Sequence, residues 1–181
     1  MVARRVAISL VGLVVIQAST AWAQTSTANL NVSLTIEGEC TIGGGTLAFP
    51  TSGVLTSNVD AQSTLTVQCT AGTPYTIELN AGTGTGATPA ARLLTGDAGA
   101  TVPYGIYTDA ARSVIWGNAV EGSPLAATGT GVLDSIPVYG RVPAQASAPA
   151  AGTYTDVVTA TIIYLSLIHI SEPTRPETIS Y

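Results

Sequence analysis

The chain has 181 residues, of which 46% are hydrophobic and only 9% are charged, against about 25% charged in an average soluble domain. It contains six arginines, no lysine and eleven acidic residues, so its formal charge is −5. This composition excludes a polybasic nucleic-acid binder, whose phosphate contacts need clustered cations. It disfavours a charge-rich disordered chain, because enough apolar residues are present to bury a core. With one histidine and two cysteines, we expect no enzyme activity, no cofactor and no bound metal.

Residues 1–23 have the three-part pattern of a secretory signal peptide. Arg4 and Arg5 precede an apolar run at residues 6–16, and a more polar stretch ends in the Ala-Trp-Ala of residues 21–23. The apolar run is shorter than the roughly 20 residues of a membrane-spanning helix, although an uncleaved membrane anchor is the alternative. Cleavage after Ala23 would leave residues 24–164 as the mature domain and would export it to the periplasm, the cell surface or the medium.

Export sets the redox state of the two cysteines, Cys40 and Cys69. An oxidising compartment favours their pairing in a disulfide, which in the chain-entropy model is worth about 3.5 kcal/mol for a loop of this length. The alternative is a pair of free, buried thiols. Two cysteines without histidine partners do not make a zinc site.

The mature chain carries the period-2 alternation of half-buried β-strands. The first alternating segment places Leu30, Val32, Leu34 and Ile36 between polar residues. Further strand-like segments are separated by Gly-, Pro- and Thr-rich turns, and lie at residues 47–49, 65–69, 75–79, 104–108, 113–116, 132–142 and 153–164. Pro137 indicates an edge strand or a bulge. About seven short strands without helical periodicity predict an all-β sandwich.

Two motifs suggest chemistry that the pattern does not support. The Gly-Thr-Gly-Thr-Gly of residues 82–86 resembles a phosphate-binding loop, but it lacks the fingerprint spacing and is followed by Pro89 rather than a helix. We therefore predict a turn. The aromatic residues Tyr104, Tyr107 and Trp116 could form a sugar-stacking platform, but such residues are more often part of a sandwich core.

The end of the domain predicts how it assembles. The last predicted strand closes at Tyr164, and an immunoglobulin-like sandwich that lacks its final strand exposes an apolar groove and unpaired backbone edges. A strand from another chain would fill both. A head-to-tail contact of this kind does not close on itself and yields a filament.

Several longer segments add a family resemblance. ECTIGG around Cys40, LTVQCTAGTPYTIELNAGTG, RLLTGDAG, VPYGIYTDAARSVIWG, VYGRVPA and APAAGTYTDVVTATIIY resemble the spore coat protein U domain of Csu-type archaic chaperone–usher pilins. The resemblance covers residues 31–164. It implies an incomplete immunoglobulin-like β-sandwich that lacks its last strand and is completed by a donor strand.

The resemblance also implies partners and site residues. The partners would be identical or related pilin subunits, a periplasmic chaperone and an outer-membrane usher, and the product would be a surface pilus that supports adhesion and biofilm formation. Cys40 and Cys69 would form the family disulfide. The donor strand would carry Leu30, Val32, Leu34 and Ile36. The strand that lines the groove and pairs with the chaperone would carry Val157, Thr159, Thr161, Ile163 and Tyr164.

Two other functions fit the same sequence. One is a spore-coat or surface-coat structural protein built by the same assembly. The other is a secreted carbohydrate-binding adhesin domain, which would be a complete sandwich that binds glycans as a monomer.

The composition changes abruptly after Tyr164. Residues 165–175 have the sequence LSLIHISEPTR, which resembles the translation of an adapter used in sequencing libraries. We therefore predict that residues 165–181 are artefactual, and a natural C-terminal extension is the alternative. For this reason His169 is not taken as a site residue.

Overall fold

The fold is described from a computed structural model, which covers residues 22–166. The signal peptide predicted at residues 1–23 and the foreign tail predicted at residues 165–181 lie almost entirely outside the described residues. The chain forms two units, residues 1–34 and residues 35–181. In the first, the described residues form no helix or strand, and Leu30, Val32 and Leu34 are exposed.

The described part of the second unit, residues 35–166, contains eight β-strands, which pair antiparallel throughout. Among residues 22–166, the helical content is a single 3₁₀ turn at Asp97–Gly99. The strands are β1 (Cys40–Gly43), β2 (Val59–Cys69), β3 (Pro74–Leu79), β4 (Arg92–Thr95), β5 (Thr101–Tyr107), β6 (Leu125–Thr128), β7 (Leu133–Val142) and β8 (Ala160–Tyr164).

The strands form two sheets, one ordered β1-β2-β7-β5-β4 and one ordered β6-β3-β8. Alternate residues of each strand face the space between the sheets, as Leu65, Val67 and Cys69 of β2 do. The buried core is built from aliphatic and aromatic side chains of β2, β3, β5 and β7, together with Trp116 from the loop after β5. The predicted all-β sandwich is therefore confirmed. In the described residues, no helix has the length and hydropathy needed to cross a membrane.

Pro137 lies in β7, which is an interior strand rather than an edge. On one side β2 pairs with β7 along its whole length, and Thr64 lies opposite Pro137. On the other side β5 pairs with β7 only from Tyr139 to Arg141. The position is thus paired on one side only, which tolerates a residue without a backbone N–H.

The pairing register defines two ends of the sandwich. Cys40 lies opposite Cys69 at one end, where β8 also finishes, with Tyr164 opposite Tyr75; we call this the disulfide end. The other end contains Val59 opposite Val142 and is called the opposite end.

Cys40 and Cys69 form a disulfide, as predicted, and it fastens the edge strand β1 to β2. Replacing both cysteines with alanine is expected to lower the free energy of unfolding by about 2–5 kcal/mol, because the denatured chain loses its cross-link. Urea denaturation of the double variant measures the loss, and reduction of the natural protein serves as the matched control. An unchanged midpoint in both would contradict a stabilising role for the bond.

Candidate functional site

A groove of about 370 Å³ opens between the two sheets, in the half of the sandwich away from the disulfide. Its floor is apolar and belongs to the core. The floor residues are Leu65, Leu79, Leu94, Tyr104, Ile106 and Val138. One wall is the chain at residues 45–49 and the other is the chain at residues 156–160.

The first wall follows β1 but is not a strand, although residues 47–49 were predicted as one. Leu47 and Phe49 pack over Gly140 of β7, where a Cβ would collide with both side chains. Phe49 also meets Tyr104 edge to face, with ring centroids 6.2 Å apart. In the described chain, no backbone hydrogen bond ties residues 45–49 to a neighbouring strand. Side-chain packing alone therefore holds this wall.

The second wall is β8 and the segment that leads into it. The strand covers only Ala160–Tyr164, whereas residues 153–164 were predicted, and Thr155 makes an isolated bridge to Thr95 of β4. One edge of β8 pairs with β3. Among residues 22–166, no strand pairs with the other edge. An apolar floor therefore lies beside a free strand edge.

Four of the five residues predicted to line the groove lie on the exposed face of this wall, and Tyr164 is the exception. The half-buried side chains are Val158, Ala160, Ile162 and Tyr164, and the exposed ones are Val157, Thr159, Thr161 and Ile163. Of the five residues named from the resemblance, Val157 lines the groove and Tyr164 packs against the core. Both phases carry β-branched or apolar residues, so alternation could not decide between them. Pairing of this strand with a chaperone stays a prediction.

A carboxylate closes the groove at the opposite end. Asp156 accepts hydrogen bonds from the Tyr104 hydroxyl at 2.7 Å, the Thr83 amide at 2.7 Å, the Thr83 hydroxyl at 2.8 Å and the Val157 amide at 2.8 Å. Gly82, with φ of 85°, passes so close that a Cβ would collide with the carboxylate. The glycine-rich loop thus packs around the Asp156 side chain, and the chain that follows it is a turn, as predicted, rather than the helix of a phosphate-binding loop.

Burial raises the pKa of Asp156, but the hydrogen bonds from Thr83, Tyr104 and Val157 outweigh it and leave the pKa below its usual value. A carboxyl with a lowered folded-state pKa stabilises the fold above its unfolded pKa, and this contribution is lost as the pH falls through the folded value. Burial and the bond to Asp156 raise the pKa of Tyr104, so this hydroxyl remains a donor at neutral pH.

Asp156→Asn is therefore expected to lower the urea midpoint at neutral pH and to flatten its dependence on pH below about pH 5. Some acid sensitivity should remain, because hydrogen bonds also hold the pKa of Asp60 and Asp109 below their usual values. Midpoints measured across this range test the expectation. Identical pH profiles for the variant and the natural protein would contradict it.

Asn80 fixes the approach to β8. Its amide donates to the Thr159 carbonyl at 3.1 Å, and its side-chain oxygen accepts from the amides of Thr159 at 2.9 Å and Gly82 at 3.0 Å. The segment before β8 is thus tied to the β3 side of the groove and faces open space on the other side.

Arg92 is a buried cation for which no role was predicted. Its side chain donates to the carbonyls of Asn80 at 2.9 Å, Pro89 at 2.7 Å, Trp116 at 2.9 Å and Leu79 at 3.4 Å. Burial lowers its pKa, and the nearby Tyr104, Asp156 and Glu121 oppose that shift. Within RLLTGDAG, an arginine at the start of an otherwise apolar strand was the available signal.

The aromatic residues considered as a sugar platform do not form one. Trp116 is fully buried and donates its indole N–H to the Ile77 carbonyl at 3.0 Å. Tyr104 is buried in the groove floor, and Tyr107 lies opposite Tyr139 at the β5–β7 pairing. Residues 22–166 also contain no group of three or more His, Cys, Asp or Glu side chains placed to hold a metal ion.

The residues named as the donor strand are apolar, and they have no strand partner in the described chain. Leu30, Val32, Leu34 and Ile36 are 87%, 86%, 85% and 73% exposed. Single exposed apolar residues are common on protein surfaces. A row of four exposed aliphatic side chains is not, and such rows indicate an interaction site. Their use as a donor stays a prediction.

Comparison with known proteins places these features in a family. Residues 26–161 match the sequence profile of the Spore Coat Protein U domain. Protein U of Myxococcus xanthus is 41% identical over 61 residues, which are 34% of this chain and 33% of that protein. The chain thus matches about a third of the length of this relative.

A solved structure shares the fold. A chain of the CsuC–CsuE chaperone–tip adhesion subunit pre-assembly complex, from the archaic chaperone–usher Csu pili of Acinetobacter baumannii, superimposes with a TM-score of 0.51 at 22% identity. The superposition covers 69% of this chain and 39% of that one. Because the family profile covers well over half of the residues, the chain belongs to the Spore Coat Protein U domain family.

Proposed function

We propose that this protein is a structural subunit of a chaperone–usher surface pilus, in which the N-terminal segment of one subunit completes the sandwich of the next. The observation that carries the proposal is the open groove beside the edge of β8 that pairs with no strand of the described chain. Such a site satisfies two needs of an incoming strand at once, since backbone hydrogen bonds form at the edge and side chains enter the apolar floor. Catalysis has no part in this proposal.

The donor segment matches the groove in chemistry. Leu30, Val32, Leu34 and Ile36 would project from one face of a strand about 20 Å long. Burying four aliphatic side chains is worth about 6–12 kcal/mol before the costs of ordering and association are subtracted. This gain, together with the backbone hydrogen bonds that the donor would form along β8, offsets those costs and supports a stable polymer.

The direction of the donor strand follows from where the chain leaves its own domain. Glu37, Gly38 and Glu39 lead from Ile36 into Cys40 at the disulfide end. A donor that runs antiparallel to β8 would place its own domain beyond the opposite end of the acceptor. A parallel donor would place it at the disulfide end, where the acceptor's own N-terminal segment departs. The antiparallel arrangement keeps the two sites apart, which an open filament needs, and brings Leu34 and Ile36 to the open half of the groove.

The remaining partners follow from the same site. Before polymerisation the groove would be covered by a strand of a periplasmic chaperone, and the subunit would pass through an outer-membrane usher to the cell surface. The chaperone and tip subunit named in the structurally similar Csu complex support this proposal. Adhesion and biofilm formation are the functions that we propose for the resulting pili.

Electron microscopy of material released from producing cells tests the proposal. We expect thin unbranched fibres that contain the mature chain, provided that a chaperone and an usher are produced with it. If the exported protein remains a folded monomer with these partners present, the proposed pilus function is wrong.

A surface coat assembled in the same way is a second candidate, favoured by the likeness to Protein U and by the family's name. It uses the same groove and donor, so the two functions differ in the product rather than the site. Immunogold labelling separates them, since a pilus places the protein on extended fibres and a coat places it in a continuous surface layer.

A further inference from the structure

Residues 37–39, which connect the donor segment to its domain, are held by hydrogen bonds to Thr70. The Thr70 hydroxyl donates to the Glu37 carbonyl at 3.1 Å and accepts from the Glu39 amide at 3.2 Å. The Thr70 amide donates to the Glu39 carbonyl at 2.9 Å. Residues 37–39 are therefore fixed to the disulfide end, and Ile36 emerges directly from the domain surface. This inference rests on the proposed function, because a donor strand without a flexible linker brings the two domains into contact.

The two surfaces that would meet carry opposite charges, and both also expose aliphatic side chains. At the disulfide end, Glu37 and Glu39 are exposed, and Leu133 and Val132 are 63% and 61% exposed. Leu133 belongs to this end because it lies opposite Gln68 of β2.

At the opposite end, Arg141 forms a two-point ion pair with Asp60 at 2.7 and 2.9 Å. In the described chain, Arg141 and Arg112 are the cations that reach the surface, because Arg92 is buried. Both contact Asp60, so this group carries one net positive charge. Val54, which is 69% exposed, belongs to the same end, since the neighbouring Leu55 carbonyl accepts from the Gln145 amide at 2.8 Å.

We propose that the disulfide end of each subunit packs directly on the opposite end of the next, with Glu37 and Glu39 facing Arg141, and Val132 and Leu133 facing Val54. The partner is a second copy of this chain. The contact adds a rigid joint to the donor strand, so a fibre of this protein is stiff at each junction. Its charged part weakens with salt, because exposed ion pairs are screened.

Photo-cross-linking within assembled fibres tests the contact. Leu133 is replaced by p-benzoylphenylalanine, and the matched control carries the probe at Thr64, an exposed β2 position midway between the ends. Illumination is expected to produce a ladder of multimers from the Leu133 probe, with the adduct on the peptide that contains Val54 or Arg141. Fibres that form normally but give no adduct there would overturn the proposal. Failure of the natural protein to form fibres would instead overturn the proposed function.

A charge reversal provides an independent measurement. Glu37→Arg with Glu39→Arg is expected to lower the temperature at which fibres dissociate, and adding Arg141→Glu is expected to restore part of it. A triple variant no more stable than the double variant would count against the pairing of these charges.

Discussion

Replacing Leu34 with aspartate is expected to abolish fibre formation while export and the native disulfide remain intact. In the proposed assembly this side chain enters the open half of a neighbour's groove, whose floor is apolar. A carboxylate without a partner is costly to bury, and a penalty of about 4 kcal/mol lowers an association constant about a thousandfold. The side chain is 85% exposed in the described chain, so the substitution should not disturb the subunit's own core.

Ser33→Asp is the matched control, because it adds the same charge one residue away on the other face of the strand. It should leave fibres intact. Electron microscopy and the size of heat-dissociated multimers measure both variants. Normal fibres from Leu34→Asp, or equal loss in both variants, would contradict a donor role for this face.

Arg92→Met is expected to destabilise the subunit by about 3–5 kcal/mol, as is typical when one member of a buried polar network is removed. The arginine is fully buried, and its loss leaves the carbonyls of Asn80, Pro89 and Trp116 without their donors. An unpaired buried acceptor retains its desolvation cost. Urea denaturation measures the change.

Arg141→Met removes the same charge from a partly exposed ion pair and is expected to cost less than about 1 kcal/mol. Both variants replace arginine with methionine, so the difference between their losses of stability measures the effect of burial. A similar loss of stability in both variants would show that the carbonyl network around Arg92 contributes no more than a surface contact.

Much of the sandwich was predictable because its strands have one buried face. Leu65, Val67 and Cys69 alternate with polar residues, and the structure places all three in the core of β2. The disulfide followed from export and the presence of only two cysteines. Strands of this kind are specified locally, since a one-residue slip would expose the whole apolar set.

The candidate site was harder to predict because its residues are far apart in sequence. Asp156 accepts hydrogen bonds from Thr83 and Tyr104. Thr83 and Asp156 are 73 residues apart, and no local sequence pattern predicts a contact between them. Leu47 and Phe49 have strand-like alternation, but they form a wall held by side-chain packing, without backbone hydrogen bonds to a neighbouring strand in the described chain. β8 carries β-branched residues in both phases, so its inward face was decided by tertiary packing rather than by alternation.

A cryo-electron microscopy map of assembled fibres tests the central claim most directly. We expect density for residues 30–36 of one subunit between β8 and residues 45–49 of the next, antiparallel to β8, with Leu34 and Ile36 against Tyr104 and Val138. A map in which residues 30–36 lie on their own domain, or in which the subunit's own chain fills that groove, would contradict the account.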